Sequence, residues 1–212
     1  MVCVYLKKIE EEPGKKPHAL QHEAGLMLLG NGLLELYGLN LGNDAAAIEE
    51  QICQPRHGKP YIKGHEGIHY NISHSRKLAG CAFSDCPVGL DLEYIRPVSE
   101  ALIKRVMIAG EEDLLKKAEG GKTGLYETAI RFWTLKESMA KCLGRGISDD
   151  FKIRSFSRYM QSLKEQEVFK YENLWFYQQK PVEGCIMSVC SVGKFEEGSL
   201  VIKFAGEVTW GN

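Results

Sequence analysis

Three runs set the fold: Ile68-His69-Tyr70-Asn71-Ile72, then Leu78-Ala79-Gly80-Cys81-Ala82-Phe83, then Val88-Gly89-Leu90-Asp91-Leu92-Glu93-Tyr94. From Ile68 the pattern takes a period of two, with turn residues between the runs, so each reads as a strand. Before them, residues 20–37 read as a helix with two apolar stripes: Leu26, Leu29, Leu33 and Leu36, and Leu20, Ala24, Met27 and Leu28, ended by Gly38. A shorter helix is expected over Asp44–Ile52, and the Gly/Pro/His-rich stretch Pro55–Gly67 reads as a loop. After the strands, helical patterns fall at Ser99–Met107, Glu111–Glu119 and Tyr126–Leu143. The last buries Phe132, Leu135, Met139 and Leu143 and stops at Gly144-Arg145-Gly146. Strands follow at Phe151–Phe156, Val168–Tyr171, Leu174–Gln178, Cys185–Val192 and Leu200–Phe204, with Glu172-Asn173 as a hairpin turn. Helix, strands, helices, strands is an α+β order, not the alternation of a doubly wound sheet, and each half holds a helical stretch with a small antiparallel sheet.

The 212 residues are 44% hydrophobic and 26% charged, which excludes a disordered chain. No apolar run approaches the ~18 residues of a membrane helix. Met1-Val2-Cys3-Val4-Tyr5-Leu6-Lys7-Lys8 lacks the basic-then-apolar order of a signal peptide, so a cytoplasmic protein away from membranes is expected. The net charge of -1, from 27 basic and 28 acidic residues, gives no field to collect nucleic acid, and a polyanionic ligand must be held by a local cluster. Seven cysteines without a C-x-x-C pair read as buried free thiols.

Three constellations could carry chemistry. On the strand 88–93, residues two apart share a face, so Asp91 and Glu93 stand side by side while Val88, Leu90 and Leu92 face the core. Two such acids suit Mg²⁺ or Mn²⁺ held together with phosphate oxygens; taken alone, they read better as a solvated strand face. In Trp133-Thr134-Leu135-Lys136-Glu137-Ser138-Met139-Ala140-Lys141, Glu137 and Lys141 are one turn apart, with Lys136 at the border. Alone this is a surface i,i+4 pair; its functional reading is a metal ligand and a phosphate-binding cation. The third is His57-Gly58-Lys59-Pro60 followed by Asn71-Ile72-Ser73-His74-Ser75, where hydroxyls, backbone N–H groups and an imidazole at a strand end can hold phosphate. His65, His69 and His74 have no paired thiolates at zinc spacing. Ser73 and His74 are strand neighbours on opposite faces, and no G-x-S-x-G occurs, which argues against a serine hydrolase.

Together, Gly58-Lys59-Pro60, Asn71-Ile72-Ser73-His74-Ser75, Val88-Gly89-Leu90-Asp91-Leu92-Glu93 and Trp133-Thr134-Leu135-Lys136-Glu137-Ser138 followed by Lys141 closely resemble the 4'-phosphopantetheinyl transferases of the long, Sfp type. The likeness covers roughly residues 55–150. It implies a monomer with a pseudo-twofold duplication of two similar α+β halves, 1–88 and 89–212, and coenzyme A and Mg²⁺ between them. It implies transfer of the phosphopantetheine arm of coenzyme A, the co-substrate, to a serine of an apo acyl or peptidyl carrier protein, with release of 3',5'-ADP. Carried over by position, Asp91, Glu93 and Glu137 would bind Mg²⁺ (or Mn²⁺). Lys59, Ser73 and His74 would hold the nucleotide and its phosphates, with Lys136 beside them, and Lys141 the diphosphate. Glu111, or Glu112 if the alignment slips, falls near the position assigned as a base, the alternative being a metal-bound water passing its proton to Glu137. The N-terminal region lacks the family's usual basic residues, leaving Arg56 or His57 to grip the 3'-phosphate. Ile103, Lys104, Arg105, Val106 and Met107 offer apolar and basic groups to an acidic carrier helix. The competing readings are a catalytically inactive coenzyme A-binding relative, against which the intact Asp91, Glu93, Glu137 and Lys141 set speaks, and a Mg²⁺-dependent nuclease, against which the absence of a basic stripe speaks.

Overall fold

Val88–Tyr94 forms a strand over the span that the alternation predicts, and the other elements arrange themselves around it. A computed structural model describes residues 1–56, 58–144, 154–162, 168–195 and 200–205. Its strands are β1 (Val2–Lys8), β2 (Ile52–Cys53), β3 (Tyr61–Ile62), β4 (His69–Ser75), β5 (Leu78–Ser84), β6 (Val88–Tyr94), β7 (Val168–Tyr171), β8 (Leu174–Gln179), β9 (Cys185–Ser191) and β10 (Leu200–Phe204). The helices are α1 (Pro17–Tyr37), α2 (Ala45–Glu50), α3 (Glu100–Val106), α4 (Ala109–Lys116), α5 (Gly121–Leu143) and α6 (Ser157–Ser162).

One sheet has the order β10-β1-β5-β4 and the other β6-β9-β8-β7, with β2 and β3 as a separate small hairpin. Every pairing among the described residues is antiparallel except that of β1 with β10. This is the small-sheet α+β architecture expected. The division at residue 88 does not separate the sheets, because β10 crosses back to lie beside β1, with Val2 opposite Leu200.

Strand alternation distributes the side chains over three cores. Cys3 and Tyr5 of β1 pack with Leu29 and Leu33 of α1. Val2, Val4 and Leu6 point the other way, to Val88, Leu90 and Leu92 of β6 and Met187 and Val189 of β9. On the far side of the second sheet, Phe132, Leu135 and Met139 of α5 pack on Phe176, Cys190 and Phe156. The layers therefore run α1, first sheet, second sheet, α5. Local signals set the helix ends: Pro17 opens α1, Gly38 closes it at φ 65°, and the Asp44 carboxylate accepts from the Ala47 N–H at the start of α2.

Three readings need correction. Residues 2–8, without a strand signal in the reading above, form β1, and its first five residues are all buried. The loop expected over Pro55–Gly67 contains β3. Of the strand expected over Phe151–Phe156, residues 151–153 lie outside the described residues and 154–156 are not in a strand; Arg145 and Gly146 of the helix stop and His57 also lie outside them. All seven cysteines are free. No described helix is long and apolar enough to cross a membrane.

Candidate functional site

The face of β6 opposite the inter-sheet core carries Gly89, Asp91 and Glu93, and α5 lies directly on it. The approach depends on Gly89: a Cβ there would stand 2.0 Å from the Ser138 carbonyl oxygen and 2.4 Å from the Cys142 nitrogen, both backbone atoms of α5. With the backbones in contact, Lys141 reaches over the strand. Its Nζ donates to Asp91 Oδ1 at 2.6 Å, to the Leu90 carbonyl at 3.1 Å and to Ser73 Oγ at 3.2 Å. Asp91 is only 5% exposed, so the solvated-face reading of this acid pair fails for Asp91.

A second set of bonds ties β4 to β6. Asn71 Oδ1 accepts from the Leu90 N–H at 2.8 Å, Ser73 Oγ from the Leu92 N–H at 3.1 Å, and Ser75 Oγ from the Tyr94 N–H at 3.2 Å. Three side chains at a spacing of two thus satisfy three alternate donors along the free edge of β6. Ser75 Oγ also donates to Glu93 Oε2 at 3.1 Å. The polar residues of Asn71-Ile72-Ser73-His74-Ser75 join the two sheets, and Asn71, Ser73 and His74 also line the adjoining cavity, whose walls come from α1, β6 and α5 as well.

The cavity has a volume of about 700 Å³. Its polar lining includes Ser73, Asp91, Glu93, Glu137 and Lys141, and its apolar lining Leu26, Ile52, Pro60, Tyr70 and Ile72. Asp91 Oδ2 and Glu137 Oε1 are buried without a hydrogen-bond partner. Burial raises the Asp91 pKa to about 7 against the pull of Lys141, and the neighbouring Glu137 and Glu93 push the same way. Burial, with Glu93 nearby, also raises Glu137, which Lys141 and Arg105 oppose. Two unpartnered, reluctantly ionised oxygens suit a hard cation that also takes phosphate oxygens. Among the described residues no group of three or more His, Cys, Asp or Glu side chains is arranged around a metal position. Glu93 instead directs its oxygens to Ser75 and to Arg96, 3.7 Å away. The donor set that fits is therefore Asp91 with Glu137, and Glu93 stands next to them.

At the α1 end, His22 and His74 line the cavity, and the His74 ring lies 6.0 Å from that of His18, edge to face. Burial lowers the His74 pKa, helped by His18 and Lys141. His22 Nε2 lies 3.1 Å from Glu49 Oε1.

The structure therefore brings together Ser73, His74, Asp91, Glu93, Glu137 and Lys141, and leaves four other sequence-selected residues elsewhere. Lys59 is turned inward, its Nζ donating to the Val88 carbonyl, and burial lowers its pKa. Arg56 is exposed and is not part of the cavity wall. Glu111 and Lys136 are both 0% exposed and bond to each other. His22, Tyr70 and Trp133 line the cavity without having been selected. Trp133 lies one turn before Glu137, and Tyr70 shares a strand face with Ile72 and His74, so a signal existed for both.

Residues 87–190 match the family model described as the 4'-phosphopantetheinyl transferase superfamily. The chain is 30% identical to the 4'-phosphopantetheinyl transferase gsp of Aneurinibacillus migulanus, over 78% of this chain and 68% of that protein. It is 32% identical to the 4'-phosphopantetheinyl transferase Sfp of Bacillus subtilis (64% of this chain, 60% of that one) and 37% identical to the 4'-phosphopantetheinyl transferase HetI of a Nostoc species (64% and 58%). The chain thus spans less than two thirds of the length of the Bacillus subtilis and Nostoc relatives.

Proposed function

The chain belongs to the 4'-phosphopantetheinyl transferase superfamily, and from that we propose that it moves the 4'-phosphopantetheine arm of coenzyme A to a serine of an apo acyl or peptidyl carrier protein, releasing 3',5'-ADP. The observation that supports this most is the pair of buried, unpartnered oxygens on Asp91 and Glu137, which line one cavity together with Lys141.

In this reading the apolar lining takes the organic part of coenzyme A and the polar lining its diphosphate. Asp91 and Glu137 would hold a Mg²⁺ ion (Mn²⁺ has the same hard-donor preference), with Glu93 beside them. Bound there, the ion would polarise the diphosphate and offset charge on the departing nucleotide. Lys141 sits within reach of the same space and places a positive charge where the transferred phosphoryl develops negative charge. His74, with His22 at the α1 end, supplies imidazoles where the 3'-phosphate would lie, in place of the exposed Arg56.

The reading is tested by intact-protein mass spectrometry of an apo carrier protein incubated with coenzyme A and Mg²⁺, with EDTA as control. A gain of one phosphopantetheine arm, lost with EDTA, is expected. Carriers of both the acyl and the peptidyl kind that stay unmodified, while coenzyme A still binds, would instead support a non-catalytic coenzyme A-binding protein.

Cation binding should also register in stability. With its pKa raised in the fold, Asp91 keeps a proton that the unfolded chain releases near pH 4, so its contribution to stability falls as pH rises from about 4 to about 7. Mg²⁺ binds the ionised form, so its addition should raise the unfolding temperature more at pH 8 than at pH 5.5. Equal gains at both pH values, or an undiminished gain in Asp91→Asn, would speak against binding at this carboxylate.

Lys104 and Arg105 are exposed at the end of α3, the helix whose Leu102 and Ile103 pack beside Trp133. Reversing both charges should raise the carrier KM about tenfold, with little change in kcat, if an acidic carrier surface docks there. An unchanged KM would place docking elsewhere.

A further inference from the structure

Glu111 and Lys136 form an ion pair with both side chains 0% exposed, Nζ to Oε2 at 2.6 Å. Each group makes further bonds within the same knot. Glu111 Oε2 also accepts from the Ile108 N–H at 3.2 Å, and Oε1 from the Phe156 N–H at 2.9 Å. Lys136 Nζ also donates to the Val106 carbonyl at 2.7 Å. Four segments meet here: the end of α3, the first turn of α4, the chain entering α6, and α5.

This geometry is wrong for a general base. A base needs a lone pair within about 3 Å of the proton it removes, and an ion-paired carboxylate with no exposure, away from the cavity wall, offers none. It is well suited to another task. Successive residues on an α-helix are about 100° apart around the axis, so tethering Lys136 toward α3 and α4 fixes the direction in which its neighbour Glu137 points. Lys141, one turn further along, is fixed with it.

We propose that Glu111 and Lys136 are positioning residues: their buried ion pair sets the rotation of α5 about its axis and thereby aims Glu137 at Asp91. The activity part of the test rests on the transferase reading; the structural part does not.

The test compares Glu111→Gln, Lys136→Met and the double variant in the full chain, by carrier transfer across pH and by amide hydrogen exchange of peptides covering residues 133–141. Each single variant should lower kcat about tenfold or more, leave the acidic limb of the kcat profile in place, and speed exchange in α5. The double variant, which removes both charges, should recover kcat to within about threefold of the parent and restore protection. A base role for Glu111 predicts otherwise: the double variant stays as inactive as Glu111→Gln, and the acidic limb moves. That result, or exchange unaltered in the singles, would overturn the proposal. Where a single variant does not fold, the double decides, and a double that also fails to fold overturns the proposal, since the pair would then be a requirement of folding rather than an aiming device. Should the parent protein transfer nothing, the transferase reading fails, and the exchange pattern alone supports or overturns the positioning role.

Discussion

Glu137→Gln is expected to lose transfer by about 10²–10³-fold and yet to unfold at the same temperature as the parent protein, or a few degrees higher. The two halves of that result come from one cause. Glu137 is 8% exposed, its buried Oε1 has no hydrogen-bond partner, and burial together with Glu93 raises its pKa. An ionised carboxylate in such a place costs folding free energy, and a neutral amide of the same shape removes that cost. A residue kept at the expense of stability is one retained for what it does in the bound state, in the proposed function holding a cation against a diphosphate. Initial rates by carrier mass and a thermal melt on the same preparation check both halves. Transfer at the parent rate would remove Glu137 from the site, and a fall of several degrees would make its role structural.

Gly89→Ala should cost far more than its one methyl group suggests: about 3 kcal/mol or more of stability, or some 6–12 °C in the unfolding temperature, with transfer abolished. The added Cβ would meet backbone atoms of Ser138 and Cys142 at 2.0 and 2.4 Å, and backbone cannot turn aside as a flexible side chain can. Either α5 lifts from β6 or the strand bows, and in both cases the Lys141 contact with Asp91 at 2.6 Å opens. Gly67→Ala is the matching control, with nothing within 4 Å of its Cβ position, and should stay within about 0.5 kcal/mol of the parent. Equal melting temperatures for the two variants would show that the close approach at Gly89 does not hold the site together.

Much of this was readable from the chain. Val88–Tyr94, Val168–Tyr171 and Leu200–Phe204 form strands at the positions where alternation puts them, and Asp91, Glu93, Glu137 and Lys141 meet at one cavity. The failures have physical reasons. β1 lies between β10 and β5 with apolar neighbours on both faces, so Val2 to Leu6 are all buried and the period of two that marks a half-buried strand is absent. Alternation tells which face a side chain takes but not which edge lies opposite, so the bonds from Asn71, Ser73 and Ser75 to β6 could not be foreseen from their spacing. Lys59 and Lys136 were selected as cations, and a cation is expected at the surface or at an anion. Lys59 instead finds a backbone carbonyl indoors, and Lys136 a carbonyl together with a carboxylate that is itself buried, choices made by tertiary packing that no local pattern records.

The pairing of β1 with β10 also shapes how the protein must be made. Val2 and Leu200 lie side by side in the sheet although 198 residues separate them along the chain. At ribosomal speeds of roughly 5–20 residues per second, β1 waits about 10–40 s for that neighbour to be synthesised. During this interval Val2-Cys3-Val4-Tyr5-Leu6 can pair with β5 on one side only, and its other edge presents open N–H and C=O groups beside apolar side chains. The first sheet is therefore completed only once residues 200–204 have been made, and newly made chains are exposed to edge-to-edge association, and to chaperone capture, for as long as β10 has yet to arrive.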